Sequence, residues 1–257
     1  MARRILFINP IGLNTYDAPI KELFEQEKMP DTSIEVVSLK RGPQHLEYHY
    51  YEMLVVLDIL HLVKQAEKDG YDAAVIGCFY DPGLREAREI TEHMVVTAPA
   101  EACLHIATTL GDSFSVIVGR QKWVPAMKEN VFKYGFEKKL ASFKPVDLGV
   151  HDFHRDEKET EHRLKSAARE AVDQDKAEVI ILGCTMQFGF YRELQDHVGV
   201  PVIDALLAPM KYAEFLVELK QKFEWLHSKK YGYETPPAAE IREWKLSEQY
   251  NLGKLWE

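Results

Sequence analysis

The sequence predicts an α/β protein made of two pseudo-symmetric open parallel-sheet domains, with helices on both faces and a cleft between them. Three observations predict it. Short apolar runs alternate with longer amphipathic runs eight times along the 257 residues, the rhythm of βαβ units. Several short runs are unbroken in Val, Ile and Leu, as parallel strands covered on both faces require. The segment from Tyr71 to Cys78 returns as Ala177 to Cys184, both ending in Gly-Cys, and at the same spacing Val95-Val96 falls on Pro201-Val202. A closed β/α barrel would also have eight units. The repeat instead divides the chain into halves, with each Cys ending the third strand of a four-strand set.

The elements follow in order. The first strand, 4–9, is the run Ile5 to Ile8 stopped by Asn9-Pro10, and a helical pattern follows at 17–28. Strand 33–39 leads to a helix at 50–69. Its most apolar part, Met53 to Val63, carries Asp58 and His61, so it is no bilayer span. Strand 72–79 precedes a helix at 82–92, where Asp81-Pro82 reads as N-cap and first helical residue. The remaining strands are 95–97, 114–119, 144–150, 178–184 and 201–204. The remaining helices are 99–110, 122–134, 156–175, 187–198 and 206–226. This places a first domain at 1–97 plus about 205–227 and a second at 98–204. The tail, 228–257, is broken by Gly232, Pro236 and Pro237 and rich in Tyr and Trp. It is expected to pack on its own domain or on a neighbouring subunit of a homo-oligomer.

Composition narrows the function. Asp plus Glu number 41 against 32 Lys plus Arg, a formal charge of −9. That balance offers no basic footprint for nucleic acid or an anionic membrane. The apolar run at the N-terminus is too short for a signal-peptide core. Three cysteines are an odd number in a chain long enough to bury a core without staples, and read as reduced thiols of a cytoplasmic protein. No G-x-G-x-x-G or Walker pattern suggests a nucleotide cofactor. His151, His154 and His162 lack the accompanying pattern of a metal site.

Cys78 and Cys184 stand at carboxyl ends of strands, where open parallel sheets bind ligands. A helix N-terminus beside such a thiol lowers its pKa from about 8.5 and populates the thiolate. Across a cleft, one thiolate could remove a proton from carbon while the other thiol protonates the opposite face, inverting a stereocentre without a cofactor. The competing reading is two small buried hydrophobes at strand ends. Cys103 falls inside a helix and reads as packing. Backbone N–H groups after the two cysteines, and the Thr185 hydroxyl, could stabilise an enolate.

Arg120 could hold a carboxylate bidentately, or be a surface residue at a strand end. Asn9, Asn14 and Thr15 either bind ligand amides or carboxylates, or make a turn and cap. Phe79 either walls the pocket or joins the core. Asp81 reads as a cap, Glu101 as a carboxylate favouring a helix dipole, and Asp204 as a crevice residue or a cap.

The string Ile76-Gly77-Cys78-Phe79-Tyr80-Asp81-Pro82-Gly83-Leu84 is joined to Glu101-Ala102, His105, Leu182-Gly183-Cys184 and Gly199 to Asp204. Together these resemble the hydantoin racemase branch of the aspartate/glutamate racemase superfamily. Ile8-Asn9-Pro10 is similar to that branch's opening motif and Tyr50-Tyr51-Glu52 to a further segment. The likeness runs over roughly 4–220. It implies two α/β domains with the site between them, no pyridoxal phosphate, and Cys78 and Cys184 as acid/base pair. It also implies a small-molecule carbon acid such as a 5-substituted hydantoin, allantoin, aspartate or glutamate. Relatives on the scaffold isomerise maleate or decarboxylate arylmalonates, and a non-catalytic binding protein is the reading from another class. The chain departs from the branch at Ile11-Gly12-Leu13, Thr97-Ala98-Pro99, Val118-Gly119-Arg120 and Thr185-Met186-Gln187, which implies a rewritten pocket around retained chemistry.

Overall fold

The computed structural model describes residues 2–253, 255 and 256. Eight strands form two separate four-stranded sheets, not one barrel, and every strand pair is parallel. The first sheet has the order β2-β1-β3-β4, from β1 (Arg3–Asn9), β2 (Thr32–Ser38), β3 (Ala73–Ile76) and β4 (Val95–Thr97). The second repeats that order as β6-β5-β7-β8, from β5 (Phe114–Val118), β6 (Leu140–Pro145), β7 (Val179–Leu182) and β8 (Val202–Asp204). The repeat in sequence is thus a repeat in topology.

Helices α1 (Asp17–Glu27), α2 (His49–Lys68), α3 (Leu84–Ile90) and α8 (Leu207–Phe223) cover the first sheet. Alternate residues of β1 face opposite cores. Ile5 and Phe7 pack with Phe24 of α1 and Met210 of α8, while Leu6 and Ile8 pack with Val55 and Ile59 of α2. Period-2 projection from a strand buried on both faces requires such a split. Around the second sheet, α4 (Pro99–Leu110) pairs with α5 (Val124–Lys133), and α6 (Glu157–Asp173) with α7 (Tyr191–Val198). Cys103 lies fully buried in that core.

Several expected elements are corrected. The strand expected at 144–150 lies at 140–145. Residues 140–143 hold a half-buried edge strand whose Ala141 and Ser142 break the apolar run, and the more apolar Val146-Asp147-Leu148 lies beyond it, with Asp147 at φ 54°. The helix expected at 187–198 starts at Tyr191, after a 3₁₀ turn at Thr185–Gln187. The helix at 122–134 is likewise split into a 3₁₀ turn, Gln121–Trp123, and α5. The helix at 82–92 starts only at Leu84. Asp81, at φ 52°, does not cap it.

The tail forms two short helices, α9 (Ala238–Glu243) and α10 (Leu246–Gln249), and returns to its own chain. Lys229 Nζ donates to the carbonyls of Arg88 (2.6 Å) and Glu89 (2.9 Å), and Thr235 Oγ1 donates to Glu89 O. Two other side chains, His227 and Arg88, meet the outer edge of β4. There the Val96 N–H donates to His227 Nε2 at 3.1 Å, and the buried Arg88 guanidinium donates to Val96 O. An open strand edge is a template for unwanted pairing, and these groups occupy it. No helix among the described residues is long and apolar enough to cross a membrane.

Candidate active site

Strands β3 and β7 stop one residue short of a glycine, and each glycine precedes a cysteine. A Cβ on Gly77 would lie 2.3 Å from Phe7 Cζ, and one on Gly183 would lie 2.6 Å from Val116 Cγ1. Only glycine allows the two strand ends to pass this close to the neighbouring strand. The chain then turns, with Asp81 N donating to Cys78 O and Gln187 N to Cys184 O, both at 2.9 Å. The cysteines therefore occupy matching positions in the two halves.

The turn after Cys78 is fixed from the second half of the chain. The Asp81 carboxylate, 3% exposed, accepts from Ala100 N (2.8 Å), Glu101 N (2.9 Å) and Tyr134 OH (2.8 Å). Asp81 is thus a cap, as expected, but of α4 and not of the helix that follows it. Asn130 of α5, one turn before the C-cap residue Tyr134, donates to the carbonyls of Phe79 (3.3 Å) and Tyr80 (2.8 Å). The Thr185 hydroxyl donates to Gly77 O at 3.3 Å, tying the two cysteine loops together.

Both cysteines line one cavity between the sheets, with about 530 Å³ of unfilled space, part of it open to solvent. The first half contributes Asn9, Pro10, Ile11, His45, Leu46, Glu47 and the Gly77 to Tyr80 turn. The second contributes Trp123, Met127, Val150 and Gly183 to Met186. The surface is mostly apolar. Among the described residues no lysine or arginine lines it.

Of the residues singled out in the sequence, Asn9, Cys78, Phe79, Cys184 and Thr185 share this cavity. Asn9 Nδ2 donates to Ser38 Oγ (3.1 Å) and Asp17 Oδ1 (3.5 Å), which leaves its amide carbonyl as the group it offers a ligand. Phe79 both walls the cavity and packs in the core of the second half. Three others lie outside. Asn14 and Thr15 are exposed, and the Asn14 carbonyl accepts from Asp17 N in the turn that opens α1. Arg120 donates to Glu47 at 2.7 Å and so is not a free carboxylate clamp. The Thr185 hydroxyl proton is engaged by Gly77 O, so it is not free to stabilise an enolate. Glu101 pairs with Arg88 (2.8 Å from Nη1), and Asp204 caps α8 by accepting from Leu206 N at 2.7 Å. His151 packs against His45, and His154 against Phe188 and Phe190.

The sequence reading missed His45, Glu47, Trp123, Met127 and Asn130. None carries a local motif. Glu47 sits in the irregular connection between β2 and α2, and the donors to its carboxylate lie 73 or more residues away.

The thiols themselves overturn one expectation. Burial raises Cys78 well above its ordinary value, although the Tyr80 N–H donates to its sulfur. The neighbouring Glu52, Cys184 and Asp81 raise it further. Burial likewise pushes Cys184 up to about 12, against a donor at Met186 N and with the Glu47 charge adding to the rise. The backbone donors expected to populate a thiolate are present, but desolvation outweighs them. Both cysteines are half-buried where they meet the cavity, and desolvation opposes ionisation of either thiol. All three cysteines are free.

Comparison with known proteins agrees with this geometry. The profile of the Asp/Glu/Hydantoin racemase family matches residues 5–213. A hydantoin racemase of Pseudomonas sp. (strain NS671) is 35% identical over 228 residues, covering 89% of this chain and 91% of that protein. A hydantoin racemase of Paenarthrobacter aurescens is 38% identical over 217 residues, covering 84% and 92%. The structure of allantoin racemase from Klebsiella pneumoniae superposes with a TM-score of 0.85 at 28% identity, covering 92% of this chain and 94% of that one.

Proposed function

The chain belongs to the Asp/Glu/hydantoin racemase family and is an isomerase, and from that premise we propose that it racemises a neutral cyclic ureide, a 5-substituted hydantoin with an apolar substituent. The observation that carries this reading is the cavity itself. It presents two sulfurs from equivalent strand ends and, among the described residues, no lysine or arginine. A free amino acid or a dicarboxylate would need its carboxylate held by a positive partner. A hydantoin ring carries no such charge. Its N–H groups match acceptors such as the Asn9 carbonyl, and Ile11, Leu46, Trp123 and Met127 suit an alkyl or aryl group better than a ureido chain.

The proposed step balances on the two sulfurs. One cysteine, as thiolate, takes the hydrogen from C5, and the electrons of that C–H bond move into the adjacent carbonyl to give an enolate. The other cysteine, as thiol, protonates C5 from the opposite face. The sulfurs exchange protonation states, and a return through solvent resets them. Either cysteine can serve as the first base, one for each enantiomer, since both thiols stand raised by burial. Enolate stabilisation falls to backbone N–H groups at the two turns.

The test is deuterium wash-in at C5 in heavy water, run on a panel of hydantoins, allantoin and free amino acids with the wild type, Cys78→Ser and Cys184→Ser. Exchange with inversion of apolar-substituted hydantoins, lost by at least roughly 10³-fold in each variant, is the expected result. Equal activity on free aspartate or glutamate, or inversion that survives either substitution, would overturn the reading.

A further inference from the structure

We infer that Glu47 is the clasp that holds the two halves closed over the cavity, a positioning residue that gates access to Cys78 and Cys184. The chain passes between halves twice, from β4 into α4 and from β8 into α8, and β4 and β8 are the same-side edges of their sheets. Covalent continuity therefore joins the halves along one side of the cleft. On the other side run the loops that leave the opposite edges, β2 and β6, and no covalent link joins them.

Glu47 lies in the β2 loop, between Ser38 and His49. Its side chain is 7% exposed. Oε1 accepts from Val150 N at 3.0 Å, in the loop after β6. Oε2 accepts from Arg120 Nη1 at 2.7 Å and from Trp123 Nε1 at 3.4 Å, after β5. One carboxylate of the first half thus takes three donors from the second. A carboxylate has about four acceptor sites, so this one is nearly filled from across the cleft. Gly149 is part of the fit, since a Cβ there would sit 3.3 Å from Oε1. The neighbours add to the seam. The His45 and His151 rings lie 5.7 Å apart, and Lys122 Nζ sits 5.0 Å from the centre of the Tyr48 ring.

His45, Leu46 and Glu47 also line the cavity, opposite Trp123 and Val150. Moving this segment away from the second half removes a wall from the space that holds both sulfurs. The hydrogen bonds beneath, Thr185 to Gly77 and Asn130 to the Phe79 and Tyr80 carbonyls, are independent of it. Opening at the clasp therefore exposes the thiols without dismantling their turns.

The experiment is alkylation of the full chain by iodoacetamide at fixed pH, followed cysteine by cysteine by mass spectrometry, in wild type, Glu47→Gln and Arg120→Ala. Cys103 is the internal control, because it is fully buried in the second core and reacts only if that core opens. In Glu47→Gln the amide nitrogen faces donors. Cys78 is expected to react roughly tenfold faster, with Cys103 unchanged, the factor expected for losing about one net hydrogen bond. Cys184 also gains from loss of the Glu47 charge, so opening is read from Cys78 in this variant and from both cysteines in Arg120→Ala, which keeps that charge. Arg120→Ala removes a side chain that is 42% exposed and leaves the core intact. It is expected to shift the same two cysteines in the same direction by a smaller factor. It decides the matter alone if Glu47→Gln does not fold. In both variants KM should rise more than kcat falls. The readout needs no substrate, so it stands apart from the racemase assignment. Wild-type alkylation rates in the folded variants, or a rise shared equally by Cys103, would overturn the clasp.

Discussion

Each cysteine meets two opposed effects. The glycine before it lets the strand end lie close against its neighbour, and the turn after it aims a backbone N–H at the sulfur. The surrounding protein removes water, which costs the thiolate more than the N–H returns. The consequence is measurable. With both thiols pushed above their ordinary range, the reactive fraction grows about tenfold per pH unit below the pKa. The rate of inactivation by iodoacetamide is therefore expected to climb from pH 7 to 9 without a plateau. A plateau near neutral pH would show that the turn donors outweigh burial.

At the scale of elements, the turn between β3 and α3 is held by neighbours distant in sequence. Asp81 caps α4, and Asn130 and Tyr134, one helical turn apart, present their polar ends to that turn from α5 and its C-cap. Replacing Asp81 by Ala strips an acceptor from two helix N–H groups and a tyrosine hydroxyl. It is expected to cost about 1–3 kcal/mol in thermal or urea unfolding. Because the same carboxylate fixes the turn that carries Cys78, kcat is expected to fall by roughly 10–100-fold. A variant that melts earlier yet turns over at the wild-type rate would separate the cap from the placement of Cys78.

For the whole molecule, two buried carboxyls and one half-buried imidazole set opposing pH trends. Burial raises Asp81 to about 7 and Asp204 to about 6, despite their backbone donors. A carboxyl whose folded pKa lies above its unfolded value near 3.8 favours folding at low pH, and that contribution is lost as pH rises toward 6–7. Burial, with Arg88 and Lys229 nearby, lowers His227 to about 3. Its contribution is present above the unfolded value near 6.5 and is lost as pH falls, since a protonated ring cannot accept from Val96 N. In chemical denaturation between pH 4 and 7, Asp81→Asn is expected to lose less stability than wild type as pH rises. His227→Gln is expected to lose less as pH falls. Curves parallel to wild type would remove these groups from the account.

What the sequence determined by itself follows from short-range regularity. Strand period, helix period and the Gly-Cys repeat are local patterns, and they sufficed for two open parallel sheets and for placing Cys78 and Cys184 at matching strand ends, while the family was legible only through the resemblance of strings such as Ile76 to Leu84. The same local logic misread residues 140–145, where a half-buried edge strand lacks an apolar run, and the start of α3, where Asp81 turned out to cap a later helix. Tertiary structure alone decided which residues meet. It gave Arg120 to Glu47 and not to a ligand, left Asn14 and Thr15 in a turn, engaged the Thr185 hydroxyl, and brought His45, Trp123 and Met127 to the cavity wall. It also reversed the expected acidity of the thiols. Contacts between residues 73 or more positions apart leave no periodic trace in the chain, and desolvation depends on everything packed around a group and not on its neighbours in sequence.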